Sequence, residues 1–306
     1  MAKNVRDGFR VAVGLIEARL LLKKLKPDII FIKGGFVGVP VGLAAAWCKI
    51  PFITHDSDAV PGLANRIIGR WAKVHAVALP KEVYSYPPDK TTTVGVPVQG
   101  YFKRVDDKLK RQYRRELKLD KYKEIIFVTG GGQGAKKLNS MVSDSVSTWL
   151  KRYEDLVVIH VAGRTHEKQI ADDYAKALPP SNVARVLVKG YVEDLYRYSG
   201  AADLVIARAG ATNIAEFAVQ AKACIIVPNP LLTGGHQLKN AEILEKSGAV
   251  KVVKEPKTGA GELIAATIEL LDNATERERL EQNIYSFAKP DSARQLSELI
   301  RRNAQK

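Results

Sequence analysis

Cysteine is scarce: two residues, Cys48 and Cys224, occur in 306, each in apolar surroundings. That count excludes a disulfide framework and suits a reduced compartment. No apolar run approaches the roughly 20 residues of a membrane-spanning helix, and the opening residues lack the pattern of a secretory leader, so a soluble or peripheral protein is expected. Long basic runs, aromatic stacking motifs and helix-turn-helix patterns are also missing. Their absence removes the usual grounds for a nucleic-acid partner, although the net charge is +15 and the isoelectric point about 9.6. The cationic excess is about twice as dense in the first hundred residues as in the rest. An anionic membrane surface or a phosphorylated substrate accounts for it as well.

What the chain does have is ordinary globular composition, 46% apolar and 26% charged, at a length that suggests two domains. Residues 4–25 read as an amphipathic helix. Phe9, Val13, Ile16 and Leu20 lie at helical spacing, Val11, Leu15, Ala18 and Leu22 widen the apolar face, and Arg6, Arg10, Arg19, Lys23 and Lys24 form a basic side. Core packing is the plain reading of that face; a membrane-interface role is the alternative.

Short apolar runs then alternate with helical patterns: strands at 29–32, 51–54 and 74–78, then 124–129, 157–162, 184–188, 204–206, 224–227 and 248–252. Helices are expected at 41–48, 65–71, 107–117, 138–150, 166–177, from 211 onward, 263–271, 276–283 and 293–302, with Lys289-Pro290-Asp291-Ser292 breaking the chain and capping the last. Strand–turn–helix order in both halves predicts an α/β fold with parallel sheets.

The densest chemistry lies at 205–241. Leu204-Val205-Ile206 breaks at Arg208-Ala209-Gly210, a helix begins at Ala211-Thr212-Asn213, Glu216 sits one turn in, and the next strand leads to Gly234-Gly235-His236-Gln237. In parallel sheets ligands gather at the carboxyl ends of strands, where helix N-termini favour anions. A carboxylate so close to such a site suits ribose hydroxyls better than phosphate. Diphosphate, ribose and a polyhydroxylated group along one unit describe a sugar nucleotide; a plain βαβ unit with Glu216 in solvent is the bland alternative. Two further glycine-rich turns follow apolar runs, Gly34-Gly35 and Gly130-Gly131-Gly132-Gln133-Gly134-Ala135.

RAGATNIAEF, then GGHQLKNA, resembles the donor-site signature of the family-28 glycosyltransferases. KGGFVGVPVGLAAAW, HDSDAVPG, TVGVPVQ, GGGQGA and YVEDL resemble other segments of that family, and the likeness runs over residues 5–302. It implies a GT-B fold, two Rossmann-like α/β domains facing across a cleft: an acceptor and membrane-side domain at 1–103 joined by a returning helix at 290–306, and a UDP-sugar domain at 104–289. It implies transfer of N-acetylglucosamine from UDP-N-acetylglucosamine to a lipid-linked muramoyl-peptide acceptor, with inversion and without a cofactor or metal, at the inner face of the cell membrane.

On the donor side the resemblance nominates Gly131, Gly132, Gln133, Val192 (beside the base), Ala211, Thr212, Asn213 (diphosphate), Glu216 (ribose), and His236 and Gln237 (sugar). On the acceptor side the resemblance points to the loop of His55, Asp56 and Asp58; these form a titratable cluster from which Asp56 or Asp58 is expected to contact the acceptor and Asp58 to act as base, with Gln99 as a further contact. Asp56-Ser57-Asp58 also spells D-x-D, but its flanks match the family's acceptor loop. The chain departs from the family at Val96, Gln99 and Gly132, where Asn, Arg and Ser are usual. No counterpart of the family's first glycine-rich loop occurs either. An incomplete first domain of about four strands is therefore expected, and with it a fragment, a shortened gene product or one half of a two-chain enzyme. A transferase for another lipid and a non-catalytic sugar-nucleotide-binding remnant are the alternatives.

Overall fold

The computed structural model describes residues 2–132, 134–255 and 259–304, with the side chains of 2–9 and Thr233 outside the description. The chain divides into two compact units, residues 1–97 with 291–306, and residues 98–290.

The first unit opens with α1 (Ala2–Leu25), which ends where Lys26 turns left-handed ahead of Pro27 and its N–H bonds Leu22 O. Then follow β1 (Ile30–Ile32), α2 (Gly38–Trp47), β2 (Phe52–Asp56), α3 (Leu63–Ile68), β3 (Val74–Val77) and β4 (Thr91–Thr93). The four strands form one parallel sheet in chain order. β2 runs two residues past its expected end and carries His55 and Asp56 into the interior. The wide apolar face expected of α1 is split: Leu15, Ala18 and Leu22 pack against the α2 side, while Val13, Ile16 and Leu20 stay exposed.

The second unit contains α4 (Asp107–Glu116), β5 (Glu124–Thr129), α5 (Lys136–Arg152), β6 (Leu156–Val161), α6 (Glu167–Ala177), the short α7 (Pro180–Val183), β7 (Val186–Lys189), α8 (Leu195–Ala201), β8 (Leu204–Ala207), α9 (Ala211–Gln220), β9 (Cys224–Ile226), α10 (His236–Lys246), β10 (Lys251–Val252), α11 (Gly261–Asp272) and α12 (Ala274–Tyr285). Its six strands are all parallel, in the order β10-β9-β8-β5-β6-β7. Alternate residues feed two cores. Ile126, Val128, Val158 and Ile206 meet Leu138, Met141 and Trp149 on one face, and Ile125, Phe127, Ile159 and Val205 meet Ile214 and Phe217 on the other. Burial on both faces is why these strands read as unbroken apolar runs. At the amino ends of β5 and β8, Asp203 accepts from Lys110 and Arg114, each at 2.6 Å, and from Ile125 N–H at 2.7 Å, which anchors α4 to the sheet.

α13 (Ser292–Asn303) rejoins the first unit, where Leu296 packs with Ile53, Ala76 and Val94. Ser292 does not cap it. Asp291 holds the cap position without a side-chain cap bond, its carboxylate reaching Arg294 at 3.0 Å, and Ser292 Oγ is buried with no partner.

Candidate active site

Strand order in the second unit reverses between β5 and β8: from there the chain runs outward to β6 and β7 on one side and to β9 and β10 on the other. Such a switch point opens a crevice at the carboxyl ends of the strands. Thr129 and Ala207, the last residues of β5 and β8, are register partners, so the 130–135 and 208–210 turns leave the sheet side by side.

The first turn is held tight by Gly134 N–H donating to Gly131 O at 2.9 Å. Gly134 has φ +73°, and a Cβ there would lie 2.4 Å from Ala162 O, so only glycine fits. Gly132 differs: its side-chain direction is open, with nothing within 4 Å. Gln133 lies outside the described residues.

The second turn delivers α9 with Gly210 at its N-cap and no side-chain cap. Ile214 N–H is the first to find a helical acceptor, Gly210 O, which leaves the N–H groups of Ala211, Thr212 and Asn213 at an uncapped positive helix end. Gly210 has φ −74° and ψ 131°, a conformation any residue adopts, and a Cβ there would meet nothing within 4 Å. The protein itself does not demand glycine at this position; the space in front of it is open. Arg208 is turned away from that space: it is buried, donates to Val227 O at 2.9 Å and pairs with Glu255, tying together the ends of β8 and β9.

Glu216 is half-buried on α9 and has no hydrogen-bond or ionic partner among the described residues. Burial pushes its carboxyl up to about 7. Val192 is buried in the core cluster that holds Ala209 and Ile214, so its backbone rather than its side chain is what a ligand could meet. Its exposed neighbour Tyr191 carries the Arg164 guanidinium 4.5 Å over its ring.

His236 starts α10, half-buried, after Gly234 and Gly235 in left-handed turns. Gln237 Oε1 accepts from Asn229 N–H at 2.9 Å and so shapes the preceding loop. Asn240, which sequence reading missed, is buried and donates to Ala209 O at 3.0 Å, locking α10 to the α9 turn. Its spacing four residues after His236, on the same helical face, was the available signal.

In the first unit the acceptor-side residues part company. His55 is 1% exposed; its Nε2–H donates to Gly95 O at 2.9 Å, Nδ1 faces the Ser57 hydroxyl at 3.4 Å, and burial holds the ring below its ordinary pKa. Asp56 is buried and accepts from Gly62 N–H (3.0 Å), Asn65 Nδ2 (2.9 Å) and Tyr86 Oη (2.8 Å). Both are thus committed to holding the fold. Asp58 sits half-buried on the loop beyond β2. Asn65 also donates to His55 O at 3.0 Å; with both amide hydrogens used, its Oδ1 is left buried without a partner. Gln99 is exposed, and Val96 is buried at 5%.

Among the described residues no group of three His, Cys, Asp or Glu side chains is placed to hold a metal. A cavity of about 440 Å³ between α5 and α6 is lined by none of the nominated residues.

An uncapped helix and a glycine-rich turn flanking the switch point of a parallel sheet make the second unit Rossmann-like. The glycosyltransferase family 28 C-terminal domain model matches residues 125–296 and the family's N-terminal domain model matches residues 1–77. The chain belongs to glycosyltransferase family 28.

It is 34% identical over 291 residues to the UDP-N-acetylglucosamine–N-acetylmuramyl-(pentapeptide) pyrophosphoryl-undecaprenol N-acetylglucosamine transferase of Halothermothrix orenii, covering 94% of this chain and 77% of that one. It is also 34% identical over 279 residues to the Clostridium perfringens protein of the same name, covering 90% and 73%. The crystal structure of Acinetobacter baumannii MurG superposes with a TM-score of 0.76 at 28% identity, over 96% of this chain and 79% of that one.

Proposed function

We propose that the chain transfers N-acetylglucosamine from UDP-N-acetylglucosamine to a hydroxyl of a lipid-linked N-acetylmuramyl-pentapeptide pyrophosphate, the reaction its relatives are named for. The observation that carries the donor half is Glu216: a half-buried carboxylate without a partner, one turn into a helix whose N-terminus is uncapped. A ribose diol supplies the two donors such a carboxylate lacks, and the diphosphate meets the N–H groups of Ala211 to Asn213. Gly131 and Gly132 line the phosphates from the other side of the crevice, the Val192 backbone reads the base, and His236 and Gln237 reach the sugar.

As the glycosidic bond to UDP breaks, negative charge grows on the β-phosphate, and the helix dipole with its fixed N–H groups stabilises it. The acceptor hydroxyl attacks the anomeric carbon from the opposite face with inversion and gives its proton to a base. Asp58, half-buried on the loop that follows β2, takes that role. The exposed apolar and basic surface of the first unit supports residence on an anionic membrane, where a lipid-linked acceptor lies.

Paired variants test this reading. Glu216→Ala weakens UDP binding by about 1.5–3 kcal/mol in titration calorimetry. Asp58→Asn leaves UDP affinity unchanged and lowers kcat by about 10²–10⁴ with a lipid-linked acceptor. Unchanged UDP affinity in the first variant would sink the donor assignment, and unchanged turnover in the second the base.

A further inference from the structure

The segment Tyr84-Ser85-Tyr86-Pro87-Pro88 reads in the sequence as a turn, and the function above makes no use of it. In the structure its two tyrosines converge on the loop that follows β2. Tyr86 Oη donates to Asp56 Oδ2 at 2.8 Å, and the ring lies flat on His75, centroids 3.8 Å apart and planes 2° from parallel. His75 is itself held by Thr54 Oγ1 at 2.8 Å from Nδ1. Tyr84, buried at 7% exposure, donates its hydroxyl to Asp58 O at 3.1 Å and accepts from Leu79 N–H at 3.2 Å. One tyrosine thus holds the carboxylate at the start of the loop and the other the carbonyl two residues on.

We infer that Tyr84 and Tyr86 are positioning residues that set the 56–62 loop, and with it Asp58, for the acceptor. The inference rests on the acceptor role proposed above for this loop. Asp56 Oδ1 already accepts from Gly62 N–H and from Asn65 Nδ2. The Tyr86 hydroxyl supplies the donor for the other oxygen and so fixes the carboxylate's rotation. Asn65 Nδ2, which donates to Asp56 Oδ1 at 2.9 Å and to His55 O at 3.0 Å, ties the same carboxylate to α3. Pro87 and Pro88, which restrict the backbone immediately after Tyr86, keep the turn itself stiff.

Tyr86→Phe and Tyr84→Phe each delete one hydroxyl and leave the ring. The expected result for the double variant is an acceptor KM raised roughly tenfold, a part of what the two lost hydrogen bonds contribute to holding the loop. UDP affinity, which belongs to the second unit, stays within twofold of wild type. An acceptor KM that does not move, or one that rises in step with a loss of UDP affinity, overturns the inference. If the wild-type chain binds UDP but transfers nothing, the proposed reaction fails separately. The positioning of the loop is then decided by amide hydrogen exchange at Gly62: faster exchange in Tyr86→Phe upholds it, and unchanged exchange refutes it.

Discussion

A half-buried carboxylate with no partner lowers its energy by keeping a proton or by receiving donors, and Glu216 is in that position. Its folded-state pKa of about 7 lies above the ordinary 4.5, with desolvation as the cause. The folded protein therefore holds this proton over a range in which the unfolded chain has lost it. The group's contribution to stability falls as pH rises from about 4.5 to about 7, and the loss is complete above that. Ribose hydroxyls reverse the balance, because they bond the ionised form better. UDP binding should then tighten as pH rises from 6 to 8, roughly tenfold if the bound carboxyl ionises fully, and should release a proton near pH 6.5. Calorimetry in two buffers of different ionisation enthalpy measures that proton. A binding enthalpy independent of buffer, or a Glu216→Gln variant with the same pH dependence, would show that Glu216 does not meet the ligand.

At the scale of elements, the two turns at the switch point carry opposite instructions in their glycines. Gly210 has a conformation open to any residue and empty space before it, so Gly210→Ala should leave thermal stability within about 0.5 kcal/mol. In the donor site proposed above, the added methyl stands in the path of the diphosphate, and UDP affinity should fall at least about tenfold. Gly132→Ser, at an equally open position, restores the hydroxyl usual in the family and should tighten UDP by about 0.5–1.5 kcal/mol. Melting curves and calorimetry on the two variants check both; wild-type affinity in Gly210→Ala would remove the phosphate from this turn. These turns were legible in the sequence because buried parallel strands are continuous apolar runs and the glycines interrupt them. β4, three threonines at a sheet edge, carries no apolar pattern, and α8 is too short and mixed for periodicity to show. The fate of Asp56 was hidden for a different reason: its partners Asn65 and Tyr86 stand 9 and 30 residues away, and no local pattern encodes a contact of that kind. Its neighbour His55, nominated with it, is likewise fixed by a carbonyl 40 residues on.

The whole molecule carries +15, and its first unit exposes apolar side chains that an isolated globular unit would bury: Ile16, Leu20 and Leu25 on α1, Phe36 at 77% and Val37 in the turn before α2, Trp47 at its end, and Leu63 and Ile67 on α3. Arginines accompany the indoles, Arg19 lying 3.8 Å over Trp47 and Arg70 4.0 Å over Trp71. Aromatic rings paired with cations suit the headgroup layer, where the ring takes the apolar side and the guanidinium the phosphate. No helix among the described residues is long and apolar enough to cross a membrane, so this surface would lie on a bilayer rather than span it. Each cation near an anionic surface contributes about 1 kcal/mol, and the apolar side chains add the burial of their own area. The chain should therefore co-sediment with vesicles containing anionic phospholipid and far less with neutral ones. Raising salt from about 0.1 M to about 1 M, which shortens the screening length to about 3 Å, should release most of it. Phe36→Ser combined with Leu63→Ser should weaken the residual, salt-resistant part while leaving UDP affinity, proposed above for the second unit, unchanged. Binding that ignores both lipid charge and salt, or that survives the double substitution intact, would place the membrane contact elsewhere or remove it.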